Sequence, residues 1–561
     1  MSPSLLVRPA LACFLLALLF VLPAGAQSVA DRLNRVQGLL QTQQYDSASA
    51  LLEELTAQRP DHGRAWSLLG FARQSMDDVD GAIEAYGRAI EFDDVAPRAM
   101  YGLGIQYARK GDVETAFEWL ARADATGRVD MTQIGIDPNA EPLRGDPRYR
   151  ALFPTESEFA DPFVEDVSIV HEWVGEAAGD QFGWIARNIG DVDGDGVNDV
   201  TTSAPTNNEG GQAAGKVYAY SGKTGQLLWE RVGPAGAQLG LGIEAAGDVN
   251  ADGVPDVIAG GPGVGRTWVY SGRNGEDLLV LEAEAEGDVF GRKVSDVGDV
   301  DGDGHDDVMV GAPSNDESGD NAGKSYVYSG RTGRVLWSAR GQNSGDAFGS
   351  AGAGFVSEDG MVWLVVGAPG VANGGRTYVY KGLEEEPAFV IDADETGSSL
   401  GGMFVSVVGD VDTDGVPDVY ASDWSNNAKG ASTGRVFVHS GANGTLLHVL
   451  TGEAAGDGFG IGPADAGDVD GDGYDDLVIG AWQHASAAPS GGKIYLYSGR
   501  TGEVLDTFTG KVPGETLGFD ATGMGDVNGD GVIDLLVTSA WSAINGTRSG
   551  RMFIVSGRVG S

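Results

Sequence analysis

Six times the chain repeats one acidic decapeptide: DVDGDGVNDV from Asp191, DVNADGVPDV from Asp248, DVDGDGHDDV from Asp299, DVDTDGVPDV from Asp410, DVDGDGYDDL from Asp468 and DVNGDGVIDL from Asp526. Oxygen-bearing side chains stand at positions 1, 3, 5 and 9. They are Asp191, Asp193, Asp195 and Asp199 in the first copy, and Asp248, Asn250, Asp252 and Asp256 in the second. The next two copies supply Asp299, Asp301, Asp303, Asp307 and Asp410, Asp412, Asp414, Asp418. The last two supply Asp468, Asp470, Asp472, Asp476 and Asp526, Asn528, Asp530, Asp534. Glycine holds position 6 in all six. Position 7 offers its backbone carbonyl, so its side chain is free to vary: Val197, Val254, His305, Val416, Tyr474 and Val532. A hard cation takes six to eight oxygens about 2.4 Å away, and a tight turn aims alternate carboxylates inward while glycine allows the bend. The spacing predicts calcium, about six ions in all.

An EF-hand would place a glutamate at position 12 and a helix after the loop. Here position 12 is Thr202 or Ala259, and a strand-like run such as Val308-Met309-Val310 follows. Magnesium fits less well, because several carboxylates in a flexible loop suit the larger ion, and no imidazole or thiolate is offered to a transition metal. His305 sits at the backbone position, so its ring has no expected metal role.

The loops belong to a longer unit. Upstream stands an aromatic or leucine followed by glycine, as in Phe182-Gly183, Leu239-Gly240, Phe290-Gly291, Phe348-Gly349, Leu400-Gly401, Phe459-Gly460 and Leu517-Gly518. Downstream come Gly311-Ala312-Pro313 and its relatives, then a glycine before a basic residue and an alternating strand, Gly215-Lys216 to Gly550-Arg551. The unit occurs seven times, and the fourth has lost its loop around Glu358-Asp359-Gly360. Units of this length with four strand segments are the sequence form of propeller blades. In the first unit strands are expected near 184–186, 199–203, 216–220 and 227–231. The last unit stops after its third strand, so residues 167–174 are expected to complete blade seven and remove an open edge.

With these elements in this order, residues 163–561 resemble the FG-GAP repeat propeller of integrin alpha subunits. The resemblance implies calcium on one face and protein ligands approaching the other. The chain departs from integrins in having no stalk domains and six metal loops. On the face opposite the loops, Trp424, Trp482 and Trp541 follow the second strands of blades five to seven. Exposed indoles anchor sugars and proteins well, so these three are ligand-face candidates for a protein or glycan.

From 27 to 125 the pattern is helical with a 34-residue period. Trp66, Leu69, Gly70, Ala82, Tyr86 and Ala89 mark one repeat, and Leu103, Gly104, Tyr107, Ala116 and Leu120 mark the next. This stretch resembles the tetratricopeptide family, which implies a concave groove for a peptide or protein; a plain spacer is the other reading. Residues 126–162 read as cap and linker. Arg144-Gly145-Asp146 spells an adhesion tripeptide, but Asp146 before Pro147 reads as the start of a helix. The fold class expected is multidomain: an N-terminal all-α tetratricopeptide-like solenoid and a C-terminal all-β seven-bladed propeller.

Acidic residues number 82 against 37 basic, a formal charge of −45. That excludes nucleic acid and anionic membrane surfaces as partners, since both need a positive footprint. The ligand positions of the six loops hold 22 of the acids, four in each of four loops and three in each of two. Residues 1–26 read as a signal peptide, with an apolar run at 11–22 and small residues before Gln27. The mature chain is then expected to have no membrane span, to be secreted, periplasmic or cell-surface, and to lack cysteine, because Cys13 is the only one. The six histidines show no metal-site spacing and no nucleophile elbow is present. The function expected is a calcium-rigidified interaction or adhesion scaffold rather than an enzyme. An extracellular propeller enzyme acting on polysaccharide or glycoconjugate is the second reading.

Overall fold

The computed structural model describes residues 29–357, 360–462 and 465–557. The expected signal segment, 1–26, lies outside them. The chain divides into two compact units, one ending at Ala123 and one starting at Asp124. Among the described residues no helix is long and apolar enough to cross a membrane.

Among its described residues the first unit has six helices: α1 (Val29–Gln41), α2 (Tyr45–Gln58), α3 (Gly63–Ser75), α4 (Val79–Ala89), α5 (Ala96–Arg109) and α6 (Val113–Asp124). The small residues of the period are the points of closest approach. A Cβ at Gly70 would lie 2.6 Å from the Tyr86 ring, and one at Gly104 would lie 2.6 Å from Leu120. Ala82, Ala89, Ala99 and Leu103 close around Tyr86. Gln106 is fully buried and donates to Gln74 Oε1 at 2.8 Å, an acceptor shared with the Tyr86 hydroxyl at 3.1 Å.

The second unit contains seven antiparallel sheets, each built outward from an innermost strand. Blade 1 runs Ala186–Asn188, Val200–Ala204, Lys216–Tyr220 and Leu227–Val232. Its first strand starts at Ala186 rather than the expected residue 184, because the Gly183 and Trp184 amides both donate to the Ser203 carbonyl, at 3.0 and 3.3 Å, outside the ladder register. Second strands are buried at every residue, as in Asp256–Gly261, Asp307–Ala312 and Asp476–Ala481. Blade 7 consists of Ala521–Gly525, Asp534–Ser539, Arg551–Val555 and, from the other end of the chain, Ile169–Val174.

The aromatic-glycine motif joins blades. Phe182, Phe290, Phe348 and Phe459 are almost wholly buried. The Phe459 amide donates to Thr433 O of the preceding blade, and Phe182 does the same to Ser549 O, so the last blade is stitched to the first. The glycine before each third strand makes this contact possible. Gly434 has φ +84°, and a Cβ there would lie 2.0 Å from the Phe459 carbonyl oxygen.

Residues 126–162, the expected cap and linker, fold with the second unit, against blades 6 and 7. Asp130, Asp137 and Asp146 each cap a short helical turn. Arg551 donates twice to the Phe159 carbonyl, at 3.1 and 3.2 Å, and Lys511 pairs with Asp161 at 2.7 Å. Asp146 of the Arg-Gly-Asp tripeptide is engaged by Arg148, which holds its carboxyl at about 2.

Candidate metal centres and the central channel

Each acidic decapeptide connects the first and second strands of a blade, so all six lie at one end of the ring. Their fold is set by the carboxylates themselves. Asp191 Oδ1 accepts from Gly194 N (2.7 Å) and Asp195 N (3.0 Å), and Oδ2 accepts from Gly196 N (2.8 Å). Position 6 requires glycine because φ is positive there, from +83° at Gly253 to +89° at Gly415. Asp193 is exposed and accepts only from Asp195 N, at 3.0 Å. Asp195 accepts from Val197 N at 3.0 Å.

Position 9 is different. Asp199, Asp256, Asp307, Asp418, Asp476 and Asp534 are all fully buried. Asp199 accepts from Val192 N (2.8 Å), Asp193 N (3.2 Å) and Gly222 N (3.0 Å), the last in the turn between third and fourth strands. Gly272, Gly330, Gly441, Gly499 and Gly557 donate likewise in the other blades. Burial pushes these carboxyls up, with neighbouring loop carboxylates adding to the effect. Asp199, Asp307 and Asp476 reach about 6, and Asp256 and Asp418 about 7.

Carboxylates gather within 4.8 Å of one another in four loops: Asp191, Asp193, Asp199; Asp299, Asp301, Asp303; Asp410, Asp412, Asp418; and Asp468, Asp470, Asp476. In the other two loops an asparagine stands at position 3. Asn250 Oδ1 is buried with no hydrogen-bond partner, while Asn528 Nδ2 donates to Asp530 at 2.9 Å and Asp534 at 3.3 Å. Carboxylates gathered around a buried position-9 acid and the orphaned Asn250 amide oxygen fit a hard cation, whereas Asn528 would have to turn its amide oxygen inward to join such a site. His305 is directed elsewhere: its Nδ1 lies 2.8 Å from Val249 O in the neighbouring loop. In blade 4, which lacks the acidic loop, Gly360 N donates to Ser357 O.

Two acids at position 8 extend the loops. Asp306 accepts from Asp248 N (2.6 Å) and Asp475 from Asp410 N (3.0 Å), so each ties its loop to that of the preceding blade. The signal was available: position 8 is an acid only in DVDGDGHDDV and DVDGDGYDDL.

At the opposite end the three candidate tryptophans do not project as free anchors. Trp482 is 8% exposed, and Trp424 and Trp541 are half-buried against the same core. The Trp482 and Trp541 rings meet edge-on with centroids 4.6 Å apart, and Phe519 packs on Trp184, Trp482 and Trp541. Arg548 lies over Trp541 at 4.1 Å. The indole N–H groups of Trp482 and Trp541 have no protein acceptor.

The innermost strands line a channel whose charged residues were not anticipated. Arg187 pairs with Asp520 and lies 2.6 Å from Glu244, and Lys293 lies 3.5 Å from the same glutamate. Burial opposes the charge on Arg187, but Asp520 and Glu244 hold its pKa above the usual value. Burial lowers Lys293, raises Asp465 and pushes Asp296 up to about 7. Of the histidines, His484 is buried with Nδ1 3.1 Å from Asp457, and His439 Nδ1 lies 3.0 Å from its own turn carbonyl, Gly444 O.

Comparison with known proteins follows this geometry. The FG-GAP repeat model matches residues 182–220 and 294–328, and an FG-GAP-like repeat model matches 468–537. A tetratricopeptide repeat model matches 33–73 and 72–129. Integrin alpha-6 of Gallus gallus is 32% identical over 166 residues, 27% of this chain and 15% of that protein. Integrin alpha-4 of Xenopus laevis is 30% identical over 199 residues, 32% of this chain and 18% of that one. Integrin alpha pat-2 of Caenorhabditis elegans is 25% identical over 316 residues, 52% of this chain and 21% of that one. The chain thus spans about a fifth or less of each of these relatives. It is a tetratricopeptide-repeat array followed by a seven-bladed FG-GAP-repeat β-propeller.

Proposed function

We infer that the protein is an exported, calcium-stabilised interaction scaffold. Calcium at the six loops rigidifies one end of the propeller, a protein or glycan binds the opposite face, and the helical groove takes a peptide or protein. The observation that carries this reading is the sixfold buried position-9 carboxylate. It is riveted by backbone donors, raised by burial and surrounded by other carboxylates, an arrangement that a divalent cation turns from costly to stabilising. The integrin alpha matches support the interaction role, and the half-buried Trp424 and Trp541, at the end opposite the loops, support that face as the ligand side. Position 1, 3, 5 and 9 side chains would hold the ion with the position-7 carbonyl. The bound ion supplies positive charge and oxygen coordination, and the chain's own role is to orient the carboxylates.

The test is affinity capture from the native extracellular fraction with immobilised full-length chain, in calcium and in chelator. A specific partner held only in calcium, and lost with Trp541→Ala at unchanged melting temperature, is the expected result. Capture that is indifferent to both changes would overturn the reading.

A further inference from the structure

The six acidic loops are not all joined to one another in the same way. In five of them the glycine before the decapeptide meets position 8 of the loop in the next blade. Three of these contacts are neutral: a Cβ would lie 3.2 Å from Pro255 at Gly190, 3.1 Å from Ile533 at Gly467 and 3.4 Å from Asn198 at Gly525. Two are anionic. A Cβ at Gly247 or Gly409 would collide with the carboxylate of Asp306 or Asp475, so the acid reaches past the glycine to the position-1 amide behind it.

That amide belongs to the residue that organises its own loop. Asp306 Oδ2 accepts from Asp248 N at 2.6 Å, and Asp306 N donates to Asp248 O at 3.2 Å. The Asp248 carboxylate in turn accepts from Asp252 N (3.0 Å) and Gly253 N (2.8 Å). Asp306 itself lies between His305, which offers the position-7 carbonyl, and the buried position-9 acid Asp307. The His305 ring adds a third contact, to Val249 O. In the second pair Asp475 stands between Tyr474 and the buried Asp476 and accepts from Asp410 N at 3.0 Å. Asp410 accepts from Asp414 N (3.1 Å) and Gly415 N (2.8 Å). Each position-8 acid is thus bonded covalently to two ligand positions of its own loop and by hydrogen bonds to position 1 of the neighbouring one.

We propose that calcium binds cooperatively within two pairs of loops, the one at Asp248 with the one at Asp299 and the one at Asp410 with the one at Asp468, through the position-8 carboxylate. This rests on the calcium reading of the loops. Holding residues 305 and 307 in place fixes Asp306, and a fixed Asp306 spares the Asp248 loop part of the ordering entropy of binding. The same carboxylate stands between two sites that each take a dication and offsets part of their repulsion. Coupling of this kind is reciprocal, so either loop of a pair strengthens the other. The loops at Asp191 and Asp526 meet their neighbours through neutral position-8 contacts and bind independently.

Tyr474 makes one loop readable by itself. No other position 7 holds a tyrosine or tryptophan, so terbium, a stand-in for calcium, is excited through Tyr474 when it occupies the Asp468 loop. The signal is the part of the terbium emission that Tyr474→Val removes, and the full-length chain is titrated after its calcium has been stripped by chelator. Asp412→Ala disables the partner loop at position 3 and should weaken terbium at the Asp468 loop by at least about fivefold, the lower end of typical couplings between sites. Asp530→Ala removes the same charge from the loop on the other side, whose position 8 is Ile533, and should change the affinity by less than about twofold, as independent sites do. In an Asp475→Ile background, with the residue type that the last loop carries at this position, Asp412→Ala should lose its effect. No weakening by Asp412→Ala, equal weakening by Asp412→Ala and Asp530→Ala, or weakening that persists undiminished with Asp475→Ile would each overturn the coupling and leave the sites standing. Absence of a saturable Tyr474-dependent signal would overturn the calcium reading, and the coupling with it.

Discussion

Replacing Asp193 with alanine separates the work of the metal from the work of the fold. Asp193 is exposed, and its carboxylate accepts only from Asp195 N. That N–H also donates to Asp191 Oδ1 at 3.0 Å, so it keeps a partner after the change. In chelator the substitution should therefore fall within about 0.5 kcal/mol of the parent, as surface changes do. With calcium at about 100 times its Kd, one site contributes about 2.7 kcal/mol, roughly a hundredfold in the unfolding constant, and most of this should be lost. Asp199→Ala is the contrast. It strips the acceptor from Val192 N, Asp193 N and Gly222 N. Unsatisfied buried donors cost about 1–3 kcal/mol each, so this variant should be weakened in chelator too. Urea unfolding followed by tryptophan fluorescence, with and without calcium, reads all four values. An equal loss for Asp193→Ala in both conditions would refute the assignment of position 3 as a ligand.

Three further outcomes follow from the geometry. In chelator, the position-9 carboxyls hold protons more tightly folded than unfolded, since burial raises them to about 6 or 7 from an ordinary 3.8. Their contribution is full below about pH 4 and disappears as pH rises through that range, so the chelated melting temperature should fall between about pH 4 and 7 and the calcium-loaded one should not. Arg551→Met leaves Glu515, itself 1% exposed and 2.7 Å from the lost guanidinium, unpaired in the core. A loss of about 3–5 kcal/mol is expected in denaturant unfolding, and most should return when Glu515→Leu is added. Gly434→Ala forces a Cβ against Phe459 O at a positive φ, and should lower stability by at least about 1–3 kcal/mol, read as a lower melting temperature.

What the sequence disclosed was periodic. The decapeptides, the aromatic-glycine pairs and the helical register of Trp66, Gly70 and Tyr86 each recur, and recurrence reveals a role that a single residue hides. Features that depend on one residue in one blade were opaque. Arg187 and Asp520 meet across 333 residues of chain, and nothing local in either strand announces the other. The packing of the tryptophans was hidden for a related reason. Their position after the second strand was readable, but Trp482 is covered by Phe519 and Trp541, which arrive from the next blade. Asp306 and Asp475 lay between these cases: their chemistry was visible, and their partners, in the preceding blade, were not.

The seam in blade 7 has a mechanical meaning. Ile169–Val174 is held by Arg551–Val555 in an antiparallel ladder, and the chain between the helical repeats and that strand runs through residues 124–168. Tension applied through the repeats therefore reaches the ring at the strand that closes it. It meets the Arg551 grip on the Phe159 carbonyl and the Lys511–Asp161 pair before it reaches the ladder. These contacts form a strain relief: while they hold, a tug on the N-terminal repeats is borne by blades 6 and 7 as a body, and once they yield, the same tug peels open the ring.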